Sequence, residues 1–217
     1  MKVTYQIEFF DYWHTGSGLS GSTYADALVN KRDGLPIIPG RTLKGLLRDA
    51  ATQLQALGHP AITEAFITKV FGEAPKVSTK EVPIEEDAER REIAVGNFSN
   101  ALLSESLASL LLSKPTEKEL KAGEQESMEK EKLQINQTDQ SLLYHLLSST
   151  RIDDNGIAVD YSLRQIEVII PLTLYAQIAH FPEEAEALAA LKTCMKWIKR
   201  MGVNRTRGLG RCRFSIC

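Results

Sequence analysis

An α+β domain of βαββαβ order is what the sequence predicts, on three observations. Val3, Tyr5, Ile7 and Phe9 alternate with Thr4, Gln6 and Glu8 near the start. Cys212, Phe214 and Ile216 alternate with Arg211, Arg213 and Ser215 at the end. Period-two alternation describes strands with one buried face. Between these ends lie two apolar stripes at helical spacing: Leu43, Leu46, Leu47, Ala50, Leu54 and Leu57, then Leu188, Leu191, Met195 and Ile198.

The bulk properties fit one domain over 1–217 with insertions. The chain has 217 residues, 43% of them hydrophobic and 25% charged, which excludes wholesale disorder and fibrous repeats. A net charge of -2 and a pI of about 6.1 exclude a uniformly basic nucleic-acid coat and leave room for a local basic patch. No apolar run approaches the roughly 20 residues that span a bilayer, and the N-terminus has no signal-peptide core. The expectation is a soluble cytoplasmic protein with no membrane partner. Cys194, Cys212 and Cys217 are odd in number and scattered, and the four histidines share no i,i+4 spacing. Neither a disulfide framework nor a zinc site is expected, and no cofactor is expected for folding.

Taken in order, residues 11–33 are rich in Gly, Ser and Thr and read as a long loop, a kind of segment that is functional or disordered in compact domains. Pro39 and Gly40 turn the chain into the first helix. Arg41, Lys44 and Arg48 cluster at its start, where cations oppose the helix dipole; an anion bound there would explain them. Residues 73–92 are charge-rich and mostly acidic, an expected insertion. Residues 93–98 read as a strand and 102–112 as a short helix. Residues 101–147 read as a second insertion, in which 114–132 mix Glu and Lys densely, as in a solvated helix or flexible segment. Asp153-Asp154-Asn155-Gly156 is a turn signal, and 148–165 read as a thumb-like hairpin. Ile166, Val168, Ile170, Leu172, Leu174, Ala176 and Ile178 predict one long strand. Pro182, Glu183, Glu184 and Glu186 open the second helix, and Gly202 stops it. The result is a ferredoxin-like (RRM-like) palm with inserted thumb, loops and helices.

Chemistry concentrates at two places. One is the helix entry at 35–48. The other is the C-terminal stretch, where Lys192, Lys196, Lys199, Arg200, Arg205, Arg207, Arg211 and Arg213 occur with no acid among them. Glycines there permit close backbone approach, and arginines bind phosphate bidentately. Taken alone, the stretch also reads as a helix cap followed by a glycine-containing hairpin with solvated arginines. His14, beside Trp13, reads either as a base-stacking residue or as a solvent-facing neighbour of a packed Trp.

Together the segments carry a resemblance. Ile38-Pro39-Gly40-Arg41-Thr42-Leu43-Lys44-Gly45 resembles the Ile-Pro-Gly-Ser-Ser-Leu-Lys-Gly helix entry of the CRISPR-associated RAMP superfamily, with Arg41-Thr42 in place of Ser-Ser. Arg207-Gly208-Leu209-Gly210-Arg211, before the last strand, resembles that superfamily's C-terminal glycine-rich loop. Phe71-Gly72, then Val95-Gly96-Asn97-Phe98-Ser99, resembles its second-strand region. Residues 150–158 and 163–169 resemble the hairpin and third strand of the backbone subunit of type III effector complexes. Residues 102–147 match no motif of it.

The resemblance implies a subunit that polymerises along a CRISPR RNA guide, beside other effector subunits, with target RNA paired to the guide. Specificity would come from base pairing and not from protein contacts. The residues it points to for RNA are His14, Ser17, Gly18, Lys31, Arg41, Thr42, Lys44, Arg48, Arg151, Arg205, Arg207, Gly208 and Gly210. Catalytic members carry an aspartate in the loop after the first strand and cut target RNA with Mg²⁺ or another divalent cation. Asp26 matches it best and would be both catalytic and metal-binding, with Asp33 and Asp11 as lesser candidates. Ala27-Leu28 stands where the family tends to have Ser-Pro. Two other readings stay open: a non-catalytic structural backbone subunit, and a guide-processing endoribonuclease leaning on His14. All three need the two glycine-flanked cationic segments to fold beside each other.

Overall fold

The computed structural model describes residues 1–18, 25–72, 94–112 and 141–217. The insertion read at 73–92 and the Glu/Lys-rich stretch at 114–132 lie outside the described residues. In chain order the elements are β1 (Val3–Phe9), β2 (Lys31–Arg32), β3 (Leu35–Pro36), α1 (Gly40–Ala56), α2 (Glu64–Phe71), β4 (Asn97–Phe98), α3 (Glu105–Leu112), β5 (Tyr144–Ser149), β6 (Arg164–Ile169), β7 (Thr173–Ala179), α4 (Ala185–Trp197) and β8 (Cys212–Ile216).

The central sheet is antiparallel, in the order β4-β7-β1-β8. With α1 after β1 and α4 after β7, this is the βαββαβ palm, its first strand flanked by the third and fourth. Alternation in β1 decides the layers. Val3, Tyr5, Ile7 and Phe9 are buried, and Ile7 sits opposite both Leu174 and Phe214. That face meets Leu43, Leu47 and Leu54 of α1 and Leu191 and Met195 of α4 in one core. Burying each such side chain contributes about 1.5–3 kcal/mol. The opposite face carries Gln6, Glu8, Tyr175 and Arg213 and is open or half-open.

The Tyr5 hydroxyl is buried in this core with no hydrogen-bond partner among the described residues, and burial pushes its phenol well above the ordinary tyrosine range. Tyr5→Phe is expected to leave the fold unchanged and raise stability by about 1 kcal/mol, since a buried hydroxyl without a partner carries a desolvation penalty. A denaturant melt checks the sign; a clear loss would mean that the hydroxyl has a partner.

Both helices are delimited by backbone chemistry. A Cβ on Gly40 would overlap the Phe98 carbonyl oxygen, so only glycine lets α1 begin against β4. The Gly40 N–H donates to Asn100 Oδ1 at 2.9 Å. At the other end α1 stops at Ala56, and Leu57, read as the end of the apolar stripe, is 69% exposed. The helix α2, with Thr63 capping it through the Phe66 N–H, has too few residues to show periodicity in the sequence. Cys194, Cys212 and Cys217 are free thiols; burial pushes Cys194 and Cys212 up to about 12.

One expectation needs correcting. The long strand read across Ile166 to Ile178 is two strands, β6 and β7, broken at Pro171. Proline has no N–H to give to a ladder, and β6 leaves the palm to pair with β5 from Tyr144↔Ile169 to Ser149↔Arg164. The thumb is therefore a ribbon spanning 144–169. Its root is held by the chain leaving β1. Trp13 N–H donates to Ile169 O, Ile169 N–H to Trp13 O, Trp13 Nε1 to Ile170 O and Phe9 N–H to Leu172 O. The Trp13 ring is fully buried and stacks on Phe9 at 4.2 Å.

Candidate nucleic-acid interface

At the thumb tip, Asp153 Oδ1 accepts from the Asn155 and Ile157 N–H groups, which closes the Asp-Asp-Asn-Gly turn. Ser162 Oγ donates to Val159 O and accepts from the Arg151 N–H, tying the two strands below the tip. Tyr161 follows with a left-handed φ of 57° and a fully exposed ring. These turns line a groove of about 480 Å³ with Ser149, Thr150, Arg151, Tyr161, Ser162 and Arg164, and its far wall is Arg207 from the glycine-rich loop. Among the described residues no carboxylate lines it. Three guanidiniums, three hydroxyls and one open aromatic ring suit a phosphodiester strand with accessible bases.

Arg207 reaches this place because its loop is pinned to the chain after β1. Val203 N–H donates to His14 O, Gly210 N–H to Tyr12 O, and Met201 N–H to Gly210 O. Gly210 has φ of 72°, and a Cβ there would overlap the Met201 carbonyl oxygen. Between these anchors Asn204 turns left-handed and Arg205–Arg207 form a single 3-10 turn, both arginines exposed. Gly208 faces open space.

The cationic block of the sequence is divided by the fold. Arg211 lies 3.3 Å and Arg200 4.0 Å from Asp11, while Arg213 lies 2.6 Å from Glu8. Arg211 and Arg213 also flank the Phe10 ring. Strand alternation sends these side chains to the open face of the sheet, where the acids of β1 and its exit meet them. Asp11, a lesser catalytic candidate, is thus an ion-pair partner.

The loop after β1 brings Asp26 to the base of the thumb. Asp26 is exposed; its N–H donates to Gln165 O at 2.8 Å and its Oδ2 accepts from the Gln165 N–H at 2.7 Å. Arg164 of the groove is the next residue along. Ser17 donates to Leu28 O, and exposed Gly18 ends the described stretch. Asp33 turns the β2–β3 hairpin with φ of 53°. Two expected RNA contacts are engaged elsewhere. Lys31 Nζ lies 2.6 Å from Glu167 Oε1 and 3.7 Å from the Tyr144 ring centroid. His14 is 1% exposed and its Nδ1–H donates to Glu167 O at 2.6 Å, so the ring presents no face for a base to stack on.

At the α1 entry, Arg41 and Thr42 are exposed and Lys44 and Arg48 half-buried. The anion site read at this helix start is partly filled by the chain itself, because Asn100 already takes the Gly40 N–H. Among the described residues the two cationic segments do not touch in a shared groove; each is tied instead to one of two consecutive residues of the chain after β1. His14 O holds Val203 of the glycine-rich loop, while Thr15 donates through its hydroxyl to Ile37 O and accepts through its carbonyl from Asn30 N–H.

For a divalent cation, Asp26 offers one exposed carboxylate. Among the described residues no group of three or more His, Cys, Asp or Glu gathers to hold a metal. Mg²⁺ commonly binds through one or two carboxylates, with waters and phosphates completing its shell. A lone exposed carboxylate leaves most of such a shell to waters or to oxygens from outside the chain.

Sequence reasoning missed Asn100, Tyr144, Tyr161, Arg164 and Glu167. A signal existed for Glu167, an acid amid Ile166, Val168, Ile169 and Ile170; for the others the proximity is long-range, as for Tyr144, whose hydroxyl bonds Gly34 110 residues away.

Fold and site define a class: a ferredoxin-like palm with an inserted antiparallel thumb, whose arginines share one groove with a glycine-rich loop. The model of the RAMP superfamily matches residues 6–213, and the chain belongs to that superfamily. Solved structures of the same fold include a chain of the Type III-B Cmr-beta bound to cognate target RNA, at TM-score 0.63 and 14% identity, covering 100% of this chain and 97% of that one. A chain of the apo state of Type III-B Cmr-beta matches at TM-score 0.63 and 15% identity, with 100% and 97% covered. No curated protein matches the sequence.

Proposed function

We propose that this chain is the guide-RNA-binding backbone subunit of a type III RNA-guided effector complex, repeated along the guide, and that it cuts paired target RNA at Asp26. The single observation that carries RNA binding is the groove in which Arg151 and Arg164 of the thumb face Arg207 of the glycine-rich loop. Superfamily membership supports it, as does the shared fold with a Cmr-beta chain whose complex holds cognate target RNA. In this reading the partners are the guide, the target, further copies of the chain and other effector subunits. No helix among the described residues is long and apolar enough to cross a membrane.

Arg207, Arg151, Arg205, Lys44, Arg41 and Arg48 grip backbone, and base pairing reads sequence. Arg207→Ala and Arg151→Ala are each expected to weaken guide binding alike for all sequences and to reduce the salt slope by about one. Fluorescence anisotropy with two unrelated guides over a salt series checks this. Affinity lost for one guide alone would overturn the backbone grip.

For cutting, Asp26, bonded to Gln165, accepts a ribose 2′-hydroxyl proton; the 2′-oxygen attacks the adjacent phosphorus in line, the bond to the 5′-oxygen of the next nucleotide breaks, that oxygen takes a proton from water, and a 2′,3′-cyclic phosphate is left. A divalent cation, when bound, supplies Lewis-acid stabilisation of charge at the phosphate. One observation favours the purely structural alternative: Asp26 Oδ2 already accepts a backbone hydrogen bond. The guide-processing reading has no support in the placement of His14, which is buried.

A further inference from the structure

We infer that Glu167 is a positioning residue for Asp26, clamping the loop that carries it onto the thumb; this rests on the reading of Asp26 as the cutting residue. Glu167 is 2% exposed in the middle of β6, a place where a carboxylate persists only when its oxygens are satisfied. Among the described residues its hydrogen bonds go to His14, Ala27, Val29 and Lys31. Its N–H donates to Ala27 O at 3.0 Å, and its carbonyl accepts from His14. Its Oε2 accepts from the Val29 N–H at 3.1 Å, and its Oε1 takes Lys31 Nζ at 2.6 Å. The Lys31 ammonium lies over Tyr144 of β5, whose hydroxyl donates to Gly34 O at 2.6 Å, so the clamp reaches both thumb strands and the β2–β3 hairpin.

Asp26 sits at the open end of this arrangement. Ala27 bridges Ile166 in parallel, and Asp26 reads Gln165. Residues 26–29 therefore lie along 165–167 as a short added strand, fixed at one end by Asp26 itself and at the other by the Glu167 carboxylate. Without that carboxylate the catalytic group would have to hold its own loop in place. A group that must meet a ribose hydroxyl at hydrogen-bond distance is served by a second, independent anchor.

The test uses the guide-loaded assembly, comparing wild type, Glu167→Gln, Asp26→Ala and the double variant Glu167→Leu with Lys31→Met. The double variant removes the stranded ammonium, so it is expected to melt near wild type even where the single variant does not. The expected result is faster amide exchange across 25–38, with peptides 3–9 and 173–179 unchanged. The cutting rate at saturating target is expected to fall about 10- to 100-fold, as for a misplaced reactive group, with the half-saturating target concentration within about twofold of wild type. Unchanged exchange across 25–38, a rise shared equally by the core strands, or full cutting by the Glu167 variants where Asp26→Ala has none, each overturns the clamp. Full-rate cutting by Asp26→Ala overturns the underlying reading instead, and exchange then still decides whether Glu167 holds the loop.

Discussion

Alanine at position 26 is expected to leave the guide-loaded assembly intact and slow target cutting by about 10²–10⁴-fold, the range of general-base help. The side chain is exposed and contacts one backbone amide, so its loss costs the fold little. Asp26→Asn sharpens the test. Asparagine keeps an acceptor for the Gln165 N–H and removes the charge, so melting should hold while cutting falls with the alanine variant. Gel analysis of a labelled target, with size-exclusion of the assembly, reads both. Cutting at the wild-type rate in either variant would place the nuclease elsewhere and make this chain a structural backbone subunit.

Gly210→Ala is expected to cost about 2–4 kcal/mol and to abolish guide binding at the groove, a large part of the stability of an ordinary domain. The residue is left-handed, its N–H and carbonyl are both bonded, and a methyl group would overlap the backbone oxygen of Met201. Backbone on both sides cannot yield as a long side chain would. Gly208→Ala is the control. It has φ of 96° but open space around it, so only the conformational term of about 1–2 kcal/mol applies. Denaturant melts of both variants, followed by guide-binding titrations, separate strain from overlap. Equal melts for the two would show that the loop does not pack on Met201 as described.

The palm was legible because its signals are local. Alternation in β1 and β8 and the stripes of α1 and α4 each report one buried face; β1, β8 and α1 lie where expected, while α4 starts at Ala185 rather than Pro182 and ends at Trp197, short of Gly202, because Ile198 is already extended. The thumb's turn was legible from Asp153 to Gly156. What could not be read is what depends on distance along the chain. Alternation runs unbroken from Ile166 to Ile178 in apolar content, so the change of sheet at Pro171 leaves only the proline as a mark. The cationic block from Lys192 to Arg213 looked uniform because nothing local shows that Glu8 and Asp11 await Arg200, Arg211 and Arg213. Lys31 and His14 looked free for the same reason. Their partner, Glu167, lies 136 and 153 residues away.

The junction at Pro171 has a mechanical consequence. The peptide groups on either side of it are bonded to residues 9–13, with the Trp13 indole wedged beneath. The ribbon is thus cantilevered from the palm and not hinged to it, so a load at its tip is delivered straight into the central strand pair β1 and β7. If copies of this chain line up along a transcript, the rise from one to the next is set by that fixed tilt.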